Sequence, residues 1–345
     1  MSDILVRKEG RAGRITLTRP QALNALTYDM CLAIDAALRD WQDDAAVELL
    51  LIDAEGERAF CSGGDIAEMY ATGTRGDFSY GRRFWRDEYR MNARLFEFPK
   101  PTVSFLQGFT MGGGVGVGCH AGLRIAGEST QIAMPECGIG LVPDVGGSMM
   151  LARAPGRIGE YLGVTGARMG AADAILAGFA DVFLPEADWE AAKAAMVAEG
   201  KAEVAGMTPP PGRLAALQAE IDRHFAGETL GDIARSLALD DTAFTAEAQK
   251  ALARNAPLSM ACTVEMLHRL GAEPSIRQAL ELEYRFTHRA MDRADFLEGI
   301  RAAIIDKDRK PRWRHAGPEA VPGVDVARML MPLGTEGWTY SEEKA

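Results

Sequence analysis

Cysteine is scarce and unpaired. The 345 residues hold Cys31, Cys61, Cys119, Cys137 and Cys262, an odd number with no Cys-x-x-Cys spacing. That pattern argues against a disulfide framework and a zinc site and fits reduced, packed thiols. His224, His268, His288 and His315 stand in polar, helix-like surroundings and share no metal-ligand spacing. No apolar stretch approaches the roughly 20 residues that cross a bilayer. Basic charge is also short: a net charge of -11 argues against a general nucleic-acid binder, whose footprint is basic. No Gly-x-x-x-x-Gly-Lys-Ser/Thr phosphate loop occurs. The opening residues, Met1 to Val6, lack a basic stretch followed by an apolar core, so the expectation is a cytoplasmic protein.

What is present is enough apolar residue, 47%, to bury a large core as one domain with an extension or as two domains. Ile4 to Val6 and Arg14 to Thr18 alternate around Gly10-Arg11-Ala12-Gly13 and predict a β-hairpin. Asn24 is expected to begin an amphipathic helix running to about Trp41. Strands are expected over 48–53, 102–107, 122–126 and 131–133, and a helix opening at 167–174. Strand patterns stop near residue 185 and helical ones follow, with Met207-Thr208-Pro209-Pro210-Pro211-Gly212 as the linker candidate. The expected organisation is α/β, a core over 1–206 with a helical region over 207–345. No internal repeat is visible.

Two glycine-framed turns and two carboxylates stand out: Phe60-Cys61-Ser62-Gly63-Gly64-Asp65, Thr110-Met111-Gly112-Gly113-Gly114-Val115-Gly116-Val117-Gly118, Met134-Pro135-Glu136, and Val142-Pro143-Asp144-Val145-Gly146-Gly147. Glycine lets the main chain approach a ligand and aim N–H groups at it, so the two turns suit a carbonyl oxygen that gains negative charge. Nearby acids can then handle protons or attack. Simpler readings exist for each part. The glycines suit tight packing, and Glu136 and Asp144 suit helix caps or turns. Asp65 is expected to cap a helix over 66–70. Gly116 to Ala121 fits a dinucleotide fingerprint only loosely, because the opening glycines sit late in the turn. Cys119-His120 is a weak candidate nucleophile, since adjacent helical residues face different ways.

These stretches, with Leu17-Thr18-Arg19-Pro20-Gln21-Ala22-Leu23-Asn24-Ala25-Leu26, Glu283-Tyr284-Arg285, Asp295 to Ala302 and Ile305-Asp306-Lys307-Asp308, resemble the crotonase, or enoyl-CoA hydratase/isomerase, superfamily over most of the chain. The resemblance implies a spiral of strand-strand-helix turns with a C-terminal helical extension. It also implies that Gly64 and Gly113 N–H groups form an oxyanion hole for a coenzyme A thioester, and that Glu136 is catalytic. Ser62, Gly63, Asp65, Gly112, Gly116, Ala25 and Leu26 are implied as substrate-binding. Hydratases of the superfamily carry a second glutamate where this chain has Gly116, so the resemblance points to its hydrolase branch, with Asp144 as the second acid. The implied reaction is hydrolysis of a short branched 3-hydroxyacyl-CoA, 3-hydroxyisobutyryl-CoA first and 3-hydroxypropionyl-CoA second.

A second acid such as Glu68 or Glu88 reaching the site would instead favour hydration or isomerisation of an enoyl-CoA. A non-catalytic acyl-CoA or RNA-binding protein is disfavoured by the intact acids and the acidic balance. No cofactor is expected beyond the coenzyme A of the substrate, and no nucleic-acid or membrane partner; a homo-oligomer is possible. Arg82, Arg83, Lys100 and the Lys307-Asp308-Arg309-Lys310 run are the candidates for meeting the anionic nucleotide.

Overall fold

Alternating apolar residues in the first third of the chain pair as the hairpin predicts: β1 (Ile4–Glu9) and β2 (Ala12–Leu17) are antiparallel, with Ile4 opposite Leu17. The computed structural model describes residues 3–341; Met1, Ser2 and residues 342–345 lie outside it. It divides into two compact units. One takes the chain up to Asp65 with Asp87–Ala133 and Arg168–Arg213; the other takes Ile66–Arg86, Met134–Ala167 and the chain from Leu214 onward. Segments 66–86 and 134–167 thus fall with the helical C-terminal part rather than on the N-terminal side of a cut at residue 206.

The described strands all lie in the first unit. After the hairpin come β3 (Leu49–Ala54), β4 (Ala59–Cys61), β5 (Thr102–Leu106), β6 (Phe109–Met111), β7 (Leu123–Ala126), β8 (Gln131–Ala133) and β9 (Val182–Phe183). A six-stranded sheet runs β1-β2-β3-β5-β7-β9 and a three-stranded sheet runs β4-β6-β8, parallel throughout except at the hairpin. From β3 to β8 successive strands alternate between the sheets, which is the expected spiral of the crotonase fold. Each turn asks only for a buried strand, a corner and a second short strand, so no sequence repeat is required. The corner between β5 and β6 is Gly108 at φ +55°, where a Cβ would stand 2.2 Å from the Arg58 carbonyl oxygen.

The described helices are, in order, α1 (Tyr28–Trp41), α2 (Ala67–Gly73), α3 (Ser79–Phe96), α4 (Gly113–Gly118), α5 (Gly147–Arg153), α6 (Ile158–Thr165), α7 (Ala171–Leu176) and α8 (Trp189–Glu199). Beyond residue 213 follow α9 (Leu214–His224), α10 (Leu230–Leu237), α11 (Ala243–Arg254), α12 (Pro257–Leu270), α13 (Ile276–Arg293), α14 (Phe296–Ile300) and α15 (Gly323–Leu330). None of the described helices is long and apolar enough to cross a membrane.

In the first unit Leu49, Leu51, Val103, Phe105 and Ile125 present one face of the large sheet to Trp189, Met196 and Val197 of α8. This is the two-residue strand period meeting a helical one. Full burial of each such side chain stabilises the fold by about 1.5–3 kcal/mol. The second unit has its own core, in which the Tyr161, Phe225 and Phe244 rings pack with centroids 5.3 to 6.3 Å apart.

Two helix starts differ from the sequence expectation. Asn24 does not begin α1. It sits buried at φ +53°, accepts from Arg19 N–H through Oδ1 and donates through Nδ2 to the Glu55 and Ala59 carbonyls, both at 2.9 Å. A short polar side chain satisfies three backbone groups of a loop there, and Thr27 caps α1 by accepting from Met30 N–H. Likewise α7 begins at Ala171, because Met169 exchanges backbone hydrogen bonds with Ile132 and so holds the chain before it extended.

Candidate active site

In the first unit, the loop after β4 and the start of α4 meet. Leu26 pairs in parallel with Gly64, its N–H donating to the Gly63 carbonyl (2.8 Å) and its carbonyl accepting from Asp65 N–H (2.8 Å). A parallel bridge of this form turns the Gly64 N–H itself the opposite way. Gly113 opens α4, so its N–H has no acceptor within the helix. The two glycines are close: a Cβ built on Gly113 would lie 3.2 Å from the Gly64 nitrogen. The bend that delivers them uses Gly63 at φ +116° and Gly112 at φ +49°. Two backbone donors therefore converge in a frame that no side chain has to rearrange, the geometry an oxyanion needs.

A third feature joins them. Glu88 of α3 is 3% exposed, and its Oε1 would stand 3.1 Å from a Cβ on Gly113. Glu68, the other acid weighed from the sequence, is exposed on α2. The sequence named both acids as candidates, and only packing shows which of the two is buried. Gly116 lies inside α4, its carbonyl accepting from Asn92 Nδ2 at 3.0 Å, so it is part of the helix rather than an open donor.

In the second unit, Glu136 begins a short 3-10 helix (Glu136–Ile139) and is 5% exposed. It is not a cap for a neighbouring helix: its carboxylate meets its own backbone N–H, and Oε2 is buried with no hydrogen-bond partner. Burial pushes its pKa well above the usual range, and the charges of Asp144 and Glu283 push the same way. A buried carboxylate with an unmatched oxygen and a raised pKa is costly to keep, which makes Glu136 the candidate functional acid of this unit.

Asp144, 4% exposed, precedes two left-handed residues, Val145 at φ +55° and Gly146 at φ +81°, and its carbonyl accepts from Gly147 N–H at 2.7 Å. Glu283 of α13, fully buried, accepts from Gly146 N–H (2.9 Å), Ser148 N–H (3.1 Å) and the Ser148 hydroxyl. Burial, opposed by those donors and assisted by Asp144, pushes Glu283 up to about 8. Glu283 stood in the sequence only as part of a motif, with no role attached to it.

The remaining expected residues fall into place or out of it. Ser62 N–H donates to the Leu23 carbonyl, and Ala25 and Leu26 lie beside it on the strand-like segment that bridges Gly64. The Asp65 carboxylate pairs with Arg19 at 2.9 Å, and the cap position of α2 is taken by Ile66, whose side chain makes no cap bond. Lys100 is structural, its ammonium donating to the Trp41 and Asp44 carbonyls at 2.6 Å near the end of α1. Arg82 donates to the His288 carbonyl, whereas Arg83, Lys307, Arg309 and Lys310 are exposed. The Cys119 thiol is buried and pushed up to about 12, which removes it as a nucleophile. Among the described residues no three His, Cys, Asp or Glu side chains are grouped to hold a metal.

Comparison with known proteins gives the family. The enoyl-CoA hydratase/isomerase family model matches residues 12–330. A relative in Gallus gallus, named 3-hydroxyisobutyryl-CoA hydrolase, mitochondrial, is 36% identical over 349 residues, 96% of this chain and 90% of its own. A solved structure described as an enoyl-CoA hydratase from Rhodobacter sphaeroides 2.4.1 is 63% identical with a TM-score of 0.96, covering 98% of this chain and all of that one. Another, described as a carnitinyl-CoA dehydratase from Mycobacterium thermoresistibile, is 38% identical with a TM-score of 0.94, covering 99% of this chain and all of that one. By its glycine turns, its alternating double sheet and these matches, the chain belongs to the enoyl-CoA hydratase/isomerase family.

Proposed function

We propose that this protein hydrolyses the thioester of a short branched 3-hydroxyacyl-CoA, with 3-hydroxyisobutyryl-CoA as the first substrate and 3-hydroxypropionyl-CoA as the second. The reaction, yielding 3-hydroxyisobutyrate and free coenzyme A, is a step of valine breakdown. The observation that carries the proposal is Glu136: buried, short of a partner at Oε2, and held at a raised pKa by burial and by Asp144.

In this mechanism the Gly64 and Gly113 N–H groups receive the thioester oxygen as it gains charge, each contributing on the order of 3 kcal/mol of transition-state stabilisation. Glu136 has two routes. As nucleophile it attacks the carbonyl carbon, the C–S bond breaks, the thiolate leaves and takes a proton, and water then opens the mixed anhydride to free the acid and restore the carboxylate. As general base it takes a proton from water, whose oxygen attacks directly. Asp144 tunes Glu136 by its charge and reads the 3-hydroxyl. Coenzyme A arrives as part of the substrate, and the mechanism calls on no separate cofactor.

Glu88 beside Gly113 favours a second reading, hydration of an enoyl-CoA, because it supplies the second carboxylate that Gly116 does not. Free-thiol release across a panel of acyl-CoAs, alongside loss of crotonyl-CoA absorbance, separates the two. The hydrolase reading expects rapid thiol release from 3-hydroxyisobutyryl-CoA, much slower release from isobutyryl-CoA, and little hydration. An unpaired buried polar group left by the missing hydroxyl can cost several powers of ten in kcat/KM. Hydration as fast as hydrolysis would sink the hydrolase assignment. Single turnover in ¹⁸O water divides the routes, since only the anhydride path leaves label in Glu136.

A further inference from the structure

The geometry points to Glu283 as a positioning residue that holds the strained Asp144-Val145-Gly146 turn in its working conformation. Val145 is β-branched and sits at φ +55°, a conformation such residues avoid and one that persists only where surrounding contacts impose it. Those contacts are visible. Gly146 N–H donates to one Glu283 oxygen at 2.9 Å; Ser148 N–H, at 3.1 Å, and the Ser148 hydroxyl donate to the other. One carboxyl from α13 thus clamps the chain immediately after Asp144 at two places, with Val145 next to the first of them.

The clamp requires a carboxyl. Both oxygens accept from a backbone N–H, so a glutamine, however its amide is turned, sets its NH₂ against one of those donors. An aspartate is a methylene too short. Burial and the charge of Asp144 raise Glu283 to about 8, which disfavours a second negative charge beside Asp144, next to that of Glu136, while lone pairs remain for the clamp.

The inference rests on the reading that Asp144 takes part in the reaction, and a double-mutant cycle tests the two separately. The wild type, E283Q, D144N, S148A and the doubles E283Q/D144N and S148A/D144N are compared for kcat and KM in thiol release from 3-hydroxyisobutyryl-CoA. A turn displaced by about 1 Å is expected to lower kcat of E283Q by about 10- to 100-fold, with KM changed far less. S148A, which keeps both backbone donors, is expected to lose several-fold. In the D144N background each penalty is expected to shrink below about 3-fold, because the group being positioned is gone. If E283Q does not fold, the Ser148 cycle carries the same comparison. A slow D144N in which the second substitution costs as much as it does in the wild type overturns the positioning role alone. A D144N with wild-type kcat overturns the role of Asp144 and the inference with it.

Discussion

A methyl group at Gly114 has nowhere to go, and this makes Gly114→Ala the sharpest test of the oxyanion frame. The added Cβ would stand 2.2 Å from the Cys61 carbonyl oxygen and 3.0 Å from the Cys61 carbonyl carbon and Cβ, whereas ordinary contact begins at 3.4 Å. About 1.2 Å must therefore be absorbed, and the main obstacle is the backbone of β4 rather than a side chain that can swing away. Either α4 moves off β4, carrying Gly113 with it, or the end of β4 moves and carries the loop to Gly64. Forcing atoms into packed backbone costs about 1–3 kcal/mol of stability. Misplacing the groups that hold a reacting centre by about 1 Å costs about 10²-fold in rate. The expected outcome is a kcat for thiol release from 3-hydroxyisobutyryl-CoA reduced by about 10²-fold, with a melting temperature lower by only several degrees. Gly122→Ala is the matched control: its Cβ would find its nearest neighbour, the Thr102 hydroxyl, at an ordinary 3.4 Å, so rate and melting point should hold. Wild-type kcat in Gly114→Ala would refute the assignment of these donors to the reaction.

Two further outcomes follow from charge. If Glu136 works as the carboxylate, kcat/KM rises with pH as it loses its proton, at a pH well above that of an ordinary glutamate. Asp144→Asn removes a neighbouring negative charge and should move that limb to lower pH; a limb that stays in place or moves up contradicts the coupling. Glu283 binds its proton more tightly folded, at about 8, than at the ordinary 4.5. Its stabilising contribution is thus full below about pH 4.5 and is lost as pH rises to about 8, at no more than about 1.4 kcal/mol per pH unit. Denaturant unfolding across that window should show a steeper fall for wild type than for Glu283→Gln, and identical slopes would place the charge elsewhere.

The site was partly legible because its chemistry depends on backbone. Gly63 and Gly112 are where the chain bends into conformations that other residues rarely adopt, and Gly114 is where no Cβ fits. Such demands act on single residues and so appear directly in a sequence. Glu136 and Asp144 taken singly read as cap or turn residues, and their spacing from the glycine turns with the family resemblance singled them out. The strand expected over 102–107 was readable from its apolar run, and it forms over 102–106.

Other features needed the folded chain. The spiral of paired strands has no sequence repeat, because parallel pairing at long range requires only that each strand be buried. Asn24 and Asp65 were expected at helix starts, where their local propensity leads. Asn24 instead serves backbone groups of Arg19, Glu55 and Ala59, and Asp65 pairs with Arg19. Glu88 and Glu283 are two acids on long helices otherwise rich in charge, α3 and α13. The helical region expected from residue 207 onward holds Glu283, whereas the stretch that holds Glu88 carried no expected element. Whether a carboxyl is then left in water, turned toward Gly113 or made to clamp Gly146 and Ser148 is decided by the side of the helix that packing buries, and that depends on partners far away in the chain.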